Sequence, residues 1–198
     1  VQEGLAFRFT PFNYRVWGDA EGDNGYAVDI EKLYDNVMNR YKYGGLDTPG
    51  LYLDETTLRT CYYHRRLFAQ LAKELIKQGD HVRARKVLTY AEQAVPAYNV
   101  PEIYESGSFD IATAYAALGE KTKAVTLFNH LIAESEDYIN WAFSLGNGRT
   151  GMMQNDCLYK FWQWNAYNER MKKIDKESYE ASNRRFEEKY ACLLYTSP

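Results

Sequence analysis

Apolar residues between positions 67 and 96 recur every three or four residues, which is the spacing of one face of an α-helix. Two such stripes flank the turn sequence KQGD at residues 77–80. The first stripe comprises Phe68, Leu71, Ala72 and Leu75, and the second comprises Ala84, Leu88 and Ala91, ahead of Pro96. The pattern therefore predicts a helical hairpin, in which the small side chains of Ala72 and Ala84 let the two helix axes approach closely.

The same order of residues returns forty positions later, between residues 107 and 134. Gly79 and Ala84 of the first copy correspond to Gly119 and Ala124 of the second. The other matched positions are Ile111, Ala112, Tyr115 and Phe128, whereas Leu131 replaces a small residue and Glu136 replaces the proline. This order of large and small residues is typical of tetratricopeptide hairpins, and residues 97–101 account for a period above the usual ~34 residues. We predict a mainly α fold of tetratricopeptide-like stacked helical hairpins.

Two hairpins cannot cover both ends of a stack, so we expect flanking helices to cap it. Upstream, Asp29 can cap a helix whose apolar stripe comprises Ile30, Leu33, Tyr34, Val37 and Tyr41. Downstream, residues 152–172 and 176–190 have the pattern of two more helices. Residues 1–27 begin with alternating apolar and polar residues, which predicts a short N-terminal β segment. The predicted organisation is therefore this extended segment, a helical-repeat domain over residues 28–191, and a separate tail at residues 192–198.

Composition and charge narrow the class of partner. A chain of 198 residues with 45% apolar residues is long enough to bury a core as one domain. The net charge of −3 and the pI near 5.7 argue against a nucleic-acid partner, because phosphate binding needs a concentrated basic surface. The 18 tyrosines and 4 tryptophans fit amphipathic core positions, and stacking platforms for a sugar or peptide are the alternative. No apolar run approaches the ~18 residues of a membrane span.

Nothing in the sequence stands out as catalytic. GNGRTG at residues 146–151 matches the dinucleotide-binding fingerprint, but that motif must follow a strand, and residues 138–145 continue a helical pattern. Asp54 and Glu55 are explained as the cap and first turn of a long helix. No serine lies in a nucleophile elbow, and no histidine has a recognisable acid and nucleophile. We predict no catalytic residue and no cofactor.

Cysteine and histidine positions give no metal site either. Cys61 and His64 lie three residues apart on a predicted helix, which supplies two ligands where a structural zinc needs four. Cys61 and Cys157 fall on apolar helix faces, which favours buried free thiols, although a single bridge between them stays open. His64, Arg65 and Arg66 are interpreted as a solvated helix face.

Several motifs resemble the C-terminal tail of a bacterial family of large polytopic membrane proteins. The motifs are YDNVMNRYKYGGL at 34–46, PGLYLDE at 49–55, RLFAQLA at 66–72 and VPAYNVP at 95–101, and the resemblance covers most of residues 5–145. That family carries a domain of unknown function related to protein O-mannosyltransferases. The resemblance implies an upstream multi-span, glycosyltransferase-like region, with this chain as its extracytoplasmic (periplasmic) tail. The family's catalytic residues would lie in the upstream region, whose absence the missing initiator methionine also suggests.

The last seven residues have a different character. CLLYTSP at residues 192–198 resembles a translated sequencing-adapter tail of the kind found in metagenomic assemblies. It fits neither the preceding helical pattern nor a cap signal, so we expect it to lie outside the native fold.

Three functions from different classes follow from these expectations. The first is a non-catalytic module that presents a concave helical groove to a protein or peptide. In that register the inner face carries Arg66, Gln70, Lys73, Phe109, Asp110 and Thr113. The second is an accessory domain that holds a glycan or an acceptor protein for the upstream transferase. The third is a structural spacer or self-association domain, and an independent enzyme is the least favoured reading.

Overall fold

A computed structural model of the chain describes residues 1–9, 28–146 and 151–196, without the side chains of residues 194–196. This described part is mainly helical. Its α-helices are α1 (Ile30–Asp35), α2 (Glu55–Lys77), α3 (His81–Ala94), α4 (Ser108–Ala117), α5 (Lys121–Ser144), α6 (Gln154–Met171) and α7 (Lys176–Thr196). A π-helical turn (Asn36–Arg40) follows α1, and 3₁₀ turns occupy Tyr104–Ser106 and Gly151–Met153. The chain divides into two compact units, Val1–Pro101 (unit 1) and Glu102–Pro198 (unit 2).

Aspartate side chains fix where three helices begin. Asp29 accepts a hydrogen bond from the backbone N–H of Lys32 before α1, and Asp80 accepts one from Arg83 before α3. Asp54 accepts from the backbone N–H groups of Thr56 and Thr57 before α2, as the sequence predicts. The hydrogen bonds from Thr57 also hold the pKa of Asp54 below its ordinary value. These bonds satisfy backbone donors that the first helical turn leaves unpaired.

Unit 1 is organised around a hairpin of α2 and α3. Gly79 has φ 79°, and the N–H of Asp80 bonds to the carbonyl of Leu75, which ends α2 with the glycine-based motif common at helix C-termini. Ala72 and Ala84 are both fully buried, as predicted. Leu33 and Val37 add to the same core. The predicted upstream stripe is thus confirmed at these two residues, but the helical run stops at Arg40, before Tyr41.

Unit 2 repeats this turn between α4 and α5. Gly119 also has φ 79°, and the N–H of Glu120 bonds to the carbonyl of Tyr115 in the same way. Ala112 and Ala124 are fully buried. The helix α5 continues well past the end of the predicted repeat, and α6 packs against it before α7 packs against α6. The predicted pair of downstream helices is therefore present.

The N-terminal β segment is not present in residues 1–9. These residues contain only isolated bridges of Gln2 with Phe7 and with Val28, and no strand. Leu5, Phe7 and Phe9 are exposed, so the alternating pattern does not bury an apolar face. A strand needs a continuous partner, and two single bridges do not supply one. The rest of the predicted segment, residues 10–27, lies outside the described residues.

The C-terminal tail is helical in its described residues, and its origin outside the native fold stays a prediction. The helix α7 extends through Thr196, and Leu193 is buried. Residues 192–196 therefore continue the helix rather than break it. Ser197 and Pro198 lie outside the described residues.

Candidate functional site

The three predicted binding residues of unit 1 lie along one face of α2. Arg66 is exposed, and its guanidinium carbon lies 4.4 Å from the ring centroid of Tyr63. Gln70 is half-buried and donates a hydrogen bond of 2.8 Å to the side-chain oxygen of Gln2. Lys73 is exposed. The N-terminal segment therefore already engages Gln70, the central residue of the three.

The three predicted residues of unit 2 lie in the first turns of α4. Asp110 is exposed, whereas Phe109 and Thr113 are half-buried. The Thr113 hydroxyl donates to the Phe109 carbonyl at 2.9 Å, so its proton is already used. The two sets belong to different compact units, and the groove predicted from all six residues stays a prediction.

Phe109 belongs to a partly exposed group of rings that the sequence reasoning did not single out. We call Tyr104, Phe109, Tyr159 and Trp162 the aromatic surface. Tyr159 and Trp162 are 45% and 53% exposed, and they lie three residues apart on α6. The core stripe of that helix comprises Cys157, Phe161, Trp164, Asn168 and Met171. Tyr159 and Trp162 lie off this stripe, and that periodicity was the available signal that they face outward.

The rings of the aromatic surface contact one another directly. Tyr159 and Trp162 are nearly parallel, at 11° and 5.7 Å between centroids. Tyr104 meets Trp162 edge-on at 75° and 5.4 Å, and lies 5.7 Å from Phe109. These separations are those of favourable aromatic pairs. The rings are therefore held in fixed orientations, with much of Tyr159 and Trp162 left open to solvent.

A tight turn holds Tyr104 in place. Gly107 has φ 83°, a left-handed conformation that lets the 3₁₀ turn pass directly into α4. The Ser106 hydroxyl donates to the Ile103 carbonyl at 2.8 Å and accepts from the Ile103 N–H at 3.1 Å. Ser106 is fully buried, and its hydroxyl also lies 2.9 Å from that of Ser108. The turn is thus braced by local hydrogen bonds on both sides of the glycine.

Charged and polar groups border the rings. Gln163 is fully buried and donates a 2.9 Å hydrogen bond to the carboxylate of Glu105, while its own Oε1 has no hydrogen-bond partner. Burial raises the pKa of Tyr104, and the nearby Tyr159, Asp110 and Glu105 raise it further. At the opposite end, the guanidinium carbon of Arg170 lies 5.9 Å from the Phe109 centroid. The border therefore has carboxylates beside Tyr104 and one cation beside Phe109.

A partly buried polar layer under the surface joins α6 to α5. The Lys160 ammonium contacts both carboxylate oxygens of Glu134, at 2.9 and 3.0 Å. Tyr167 is fully buried, and burial raises the pKa of its hydroxyl, with Glu134 adding to the effect. Its ring lies 5.7 Å from that of Phe109. This layer fixes the rotation of α6 and hence the direction in which Tyr159 and Trp162 project.

The sequence His64, Arg65 and Arg66 on α2 was predicted to be a solvated helix face, and this prediction is wrong for Arg65. Arg65 is buried rather than solvated, with 3% of its surface exposed. Its guanidinium donates hydrogen bonds to the carbonyls of Val95, Val100 and Pro101. The chain after α3 brings these three carbonyls together. They accept the hydrogen bonds that an exposed arginine would donate to water. Arg65 is a structural residue of unit 1, and only Arg66 of this cluster is exposed.

His64 has a different surrounding from that of a metal ligand. Its ring contacts those of Tyr41 and Tyr43 edge-on, at 6.2 and 5.3 Å, and its buried Nδ1 has no hydrogen-bond partner. Burial lowers the pKa of His64. Cys61 and Cys157 are buried and free, as predicted, and burial raises the pKa of each thiol. Within the described ranges, no three histidine, cysteine or acidic side chains are grouped to hold a metal ion.

The remaining sequence motifs can be placed only in part. Residues 147–150 of the glycine fingerprint lie outside the described residues, but the residues before it, through Ser144, form the end of α5. A helix in place of a strand removes the setting that the dinucleotide-binding motif needs. None of the helices in the described ranges combines the length and apolar character needed to cross a membrane.

Comparison with known proteins identifies no relative of the chain. No protein-family model, no curated protein and no solved structure matches the chain. The chemistry of the site therefore has to be inferred from its own residues. Half-exposed rings with a charged border can bind through stacking, apolar contact and ion pairing.

Proposed function

We propose that the chain is a non-catalytic interaction module that binds a protein or peptide segment through the aromatic surface of unit 2. The observation that carries this proposal is the half-exposed pair Tyr159 and Trp162, oriented by Tyr104 and by the partly buried polar layer beneath α6. Large aromatic side chains with few rotatable bonds lose little entropy when a partner covers them, and they dominate the energetics of protein interfaces. The first turns of α4 contribute Phe109 and Asp110 to the same region.

We further propose that the helical hairpins are of the tetratricopeptide type. The support is the matched pair of turns, each with a left-handed glycine and the same backbone hydrogen bonds, and the matched buried alanines Ala84 and Ala124. Stacked helical repeats create extended binding surfaces from corresponding parts of successive repeats. With α4–α5 and α6–α7 as successive pairs, α4 and α6 correspond, which agrees with a binding surface built from both.

A matched pair of tryptophan substitutions tests the peptide-binding proposal. Trp162→Ala removes the centre of the aromatic surface, and Trp141→Ala removes a tryptophan of similar exposure, also paired with a tyrosine three residues earlier, on α5. Screening the purified chain against an array of random peptides, we expect selected peptides to lose binding to Trp162→Ala by at least about tenfold and to keep it with Trp141→Ala. Equal behaviour of the two variants would show that the surface is not the binding site.

The predicted groove residues on α2 have a separate test. Charge reversal of Arg66 and Lys73 to glutamate should weaken the same peptides if the ligand extends along α2. Helical circular dichroism of the variant must match that of the unmodified chain. Unchanged affinity would restrict the site to unit 2.

A glycan ligand is the second candidate, and the half-exposed rings of Tyr159 and Trp162 favour it specifically. Sugar rings stack on exposed aromatic faces, and carboxylates such as those of Glu105 and Asp110 accept hydrogen bonds from hydroxyl groups. A glycan ligand predicts that mannose-containing oligosaccharides quench the tryptophan fluorescence of the chain and that Trp162→Ala removes the response. A flat titration over a broad oligosaccharide panel would count against this candidate.

We also propose that the module is the periplasmic tail of a glycosyltransferase-like membrane protein. The support is the resemblance of residues 34–46, 49–55, 66–72 and 95–101 to the tail of that family. Recovering the reading frame upstream of Val1 tests it. Several membrane-spanning segments are expected there, and a frame without them would overturn the proposal.

A further inference from the structure

We propose that the aromatic surface selects a cationic side chain, the lysine or arginine of a peptide, which docks on Tyr104 and Trp162 beside the carboxylate of Glu105. This inference rests on the proposed peptide-binding function and specifies the chemistry of its ligand. It combines three separate features of unit 2: the open ring faces, the uncompensated carboxylate and the distribution of the neighbouring cations.

The rings supply the first part of the argument. The face of an aromatic ring carries partial negative charge and attracts ammonium and guanidinium groups, most strongly for tryptophan. Trp162 is 53% exposed, and Tyr104 stands at 75° to it. A side chain placed in that corner contacts two rings at once. The border already contains one such pairing, since the Arg170 guanidinium lies over Phe109.

Glu105 supplies the second part. Its carboxylate accepts a hydrogen bond from the amide of Gln163, which is neutral and leaves the full negative charge in place. Gln163 is fully buried, so the carboxylate is held beside the rings rather than moving freely in solvent. The carboxylate at this edge therefore matches a ligand that brings N–H donors and positive charge.

The neighbouring charges supply the third part. Lys160 on α6 pairs with both carboxylate oxygens of Glu134. Its positive charge is therefore directed to Glu134 and not to Glu105. Arg170 lies over Phe109, eight residues along α6 from Trp162. The edge formed by Tyr104, Trp162 and Glu105 is therefore negative, which favours a cationic ligand and opposes an acidic one.

Three capped glycine-rich pentapeptides test the inference with the full chain. One carries two lysines, the second carries norleucine in their place, and the third carries glutamate. Followed by isothermal titration calorimetry, we expect the lysine peptide to bind about five- to tenfold more tightly than the norleucine peptide, and the glutamate peptide to bind least. The preference for lysine should shrink as salt rises, because an exposed ion pair is screened.

Two variants assign the preference to the named residues. Glu105→Gln keeps the shape of the side chain and removes its charge, so it should erase most of the preference for lysine over norleucine. Glu188→Gln, an exposed glutamate on α7, is the matched control and should leave the preference intact. Trp162→Ala should weaken both peptides.

The outcomes separate this inference from the function on which it rests. If Trp162→Ala weakens peptide binding but lysine, norleucine and glutamate peptides bind alike, cationic selection is wrong and peptide binding stands. The same holds if Glu105→Gln retains the lysine preference. If Trp162→Ala leaves the binding of every peptide unchanged, the aromatic surface is not a peptide site and both proposals fail.

Discussion

At the scale of single residues, the matched alanines give the most direct test of the helical register. Ala84 and Ala124 are both fully buried where two helices pack. Replacing either with leucine forces three extra carbon atoms into a filled space, so we expect a loss of about 1 to 3 kcal/mol in the free energy of unfolding. Urea denaturation followed by circular dichroism measures it. Lys86→Leu, at an exposed position of α3, should change stability by less than about 0.5 kcal/mol.

A second residue makes unit 1 sensitive to acid. Burial lowers the pKa of His64, so the folded chain binds a proton at this site less readily than the unfolded chain does. Stability is therefore complete above the unfolded value of about 6.5 and falls as the pH drops from there through the folded pKa. Because His64 is only half-buried, the slope should stay below the roughly 1.4 kcal/mol per pH unit of a single fully shifted proton site.

Comparison of variants isolates that contribution. Urea midpoints measured between pH 7.5 and 5.5 should decline less for His64→Phe than for the unmodified chain. His130→Gln, at an exposed position of α5, should follow the unmodified chain. If His64→Phe retains the full decline, acid sensitivity in this range comes from other groups.

At the scale of helices, the sequence predicted well wherever one face is buried. The 3.6-residue periodicity, the Asp54 cap and the KQGD turn located α2 and α3 to within one or two residues. The strand predicted from the alternating pattern is absent in residues 1–9. A strand needs a partner strand to pair with, and the local sequence pattern does not show whether one is present. The burial of Arg65 was missed for a related reason. Its three carbonyl partners come from residues 95–101, some 30 positions away.

The candidate site was predictable only in part. Phe109 and Asp110 were selected from the repeat register; Phe109 belongs to the aromatic surface, and Asp110 lies near its Tyr104. Tyr159 and Trp162 were not selected, although they lie off the core stripe of α6, because position off a stripe does not show which rings a neighbouring element covers. Which rings are open depends on how α6 is rotated against α5 and α7. That rotation is set by partly buried polar contacts such as Lys160 with Glu134, and these involve residues far apart in sequence.

Buried hydrogen bonds also hold α7 against α6. The indole N–H of Trp164 donates to the Ser182 hydroxyl at 2.8 Å, and this hydroxyl donates to Asn168 at 2.7 Å. Ser182→Ala leaves a buried donor and a buried acceptor unpaired, so we expect a loss of about 2 to 4 kcal/mol in thermal unfolding experiments. Asn183→Ala removes only an exposed bond within α7 and is the control. A Ser182→Ala variant as stable as this control would show that water or rearrangement replaces the lost bonds.

At the scale of the whole molecule, the chain divides between Pro101 and Glu102. The buried hydrogen bonds of Arg65 therefore lie in unit 1, and those of Ser182 lie in unit 2. Arg65 closes unit 1 by binding the chain that leads out of it, through the carbonyl of Pro101. Ser182 joins two helices of unit 2. Each residue is almost fully buried, so removing either leaves unpaired polar groups inside its own unit. Local opening should therefore begin in the unit that carries the substitution.

Hydrogen exchange followed by mass spectrometry tests that expectation across the chain. Arg65→Met keeps the aliphatic stem and removes three hydrogen bonds, so exchange should quicken first in residues 95–101 and then in α2 and α3. Ser182→Ala should instead quicken exchange in α6 and α7. Arg66→Met, at the neighbouring exposed position, should leave both regions unchanged. If each buried substitution quickened both units equally, the chain would open as one cooperative body, and the two units would share a single stability.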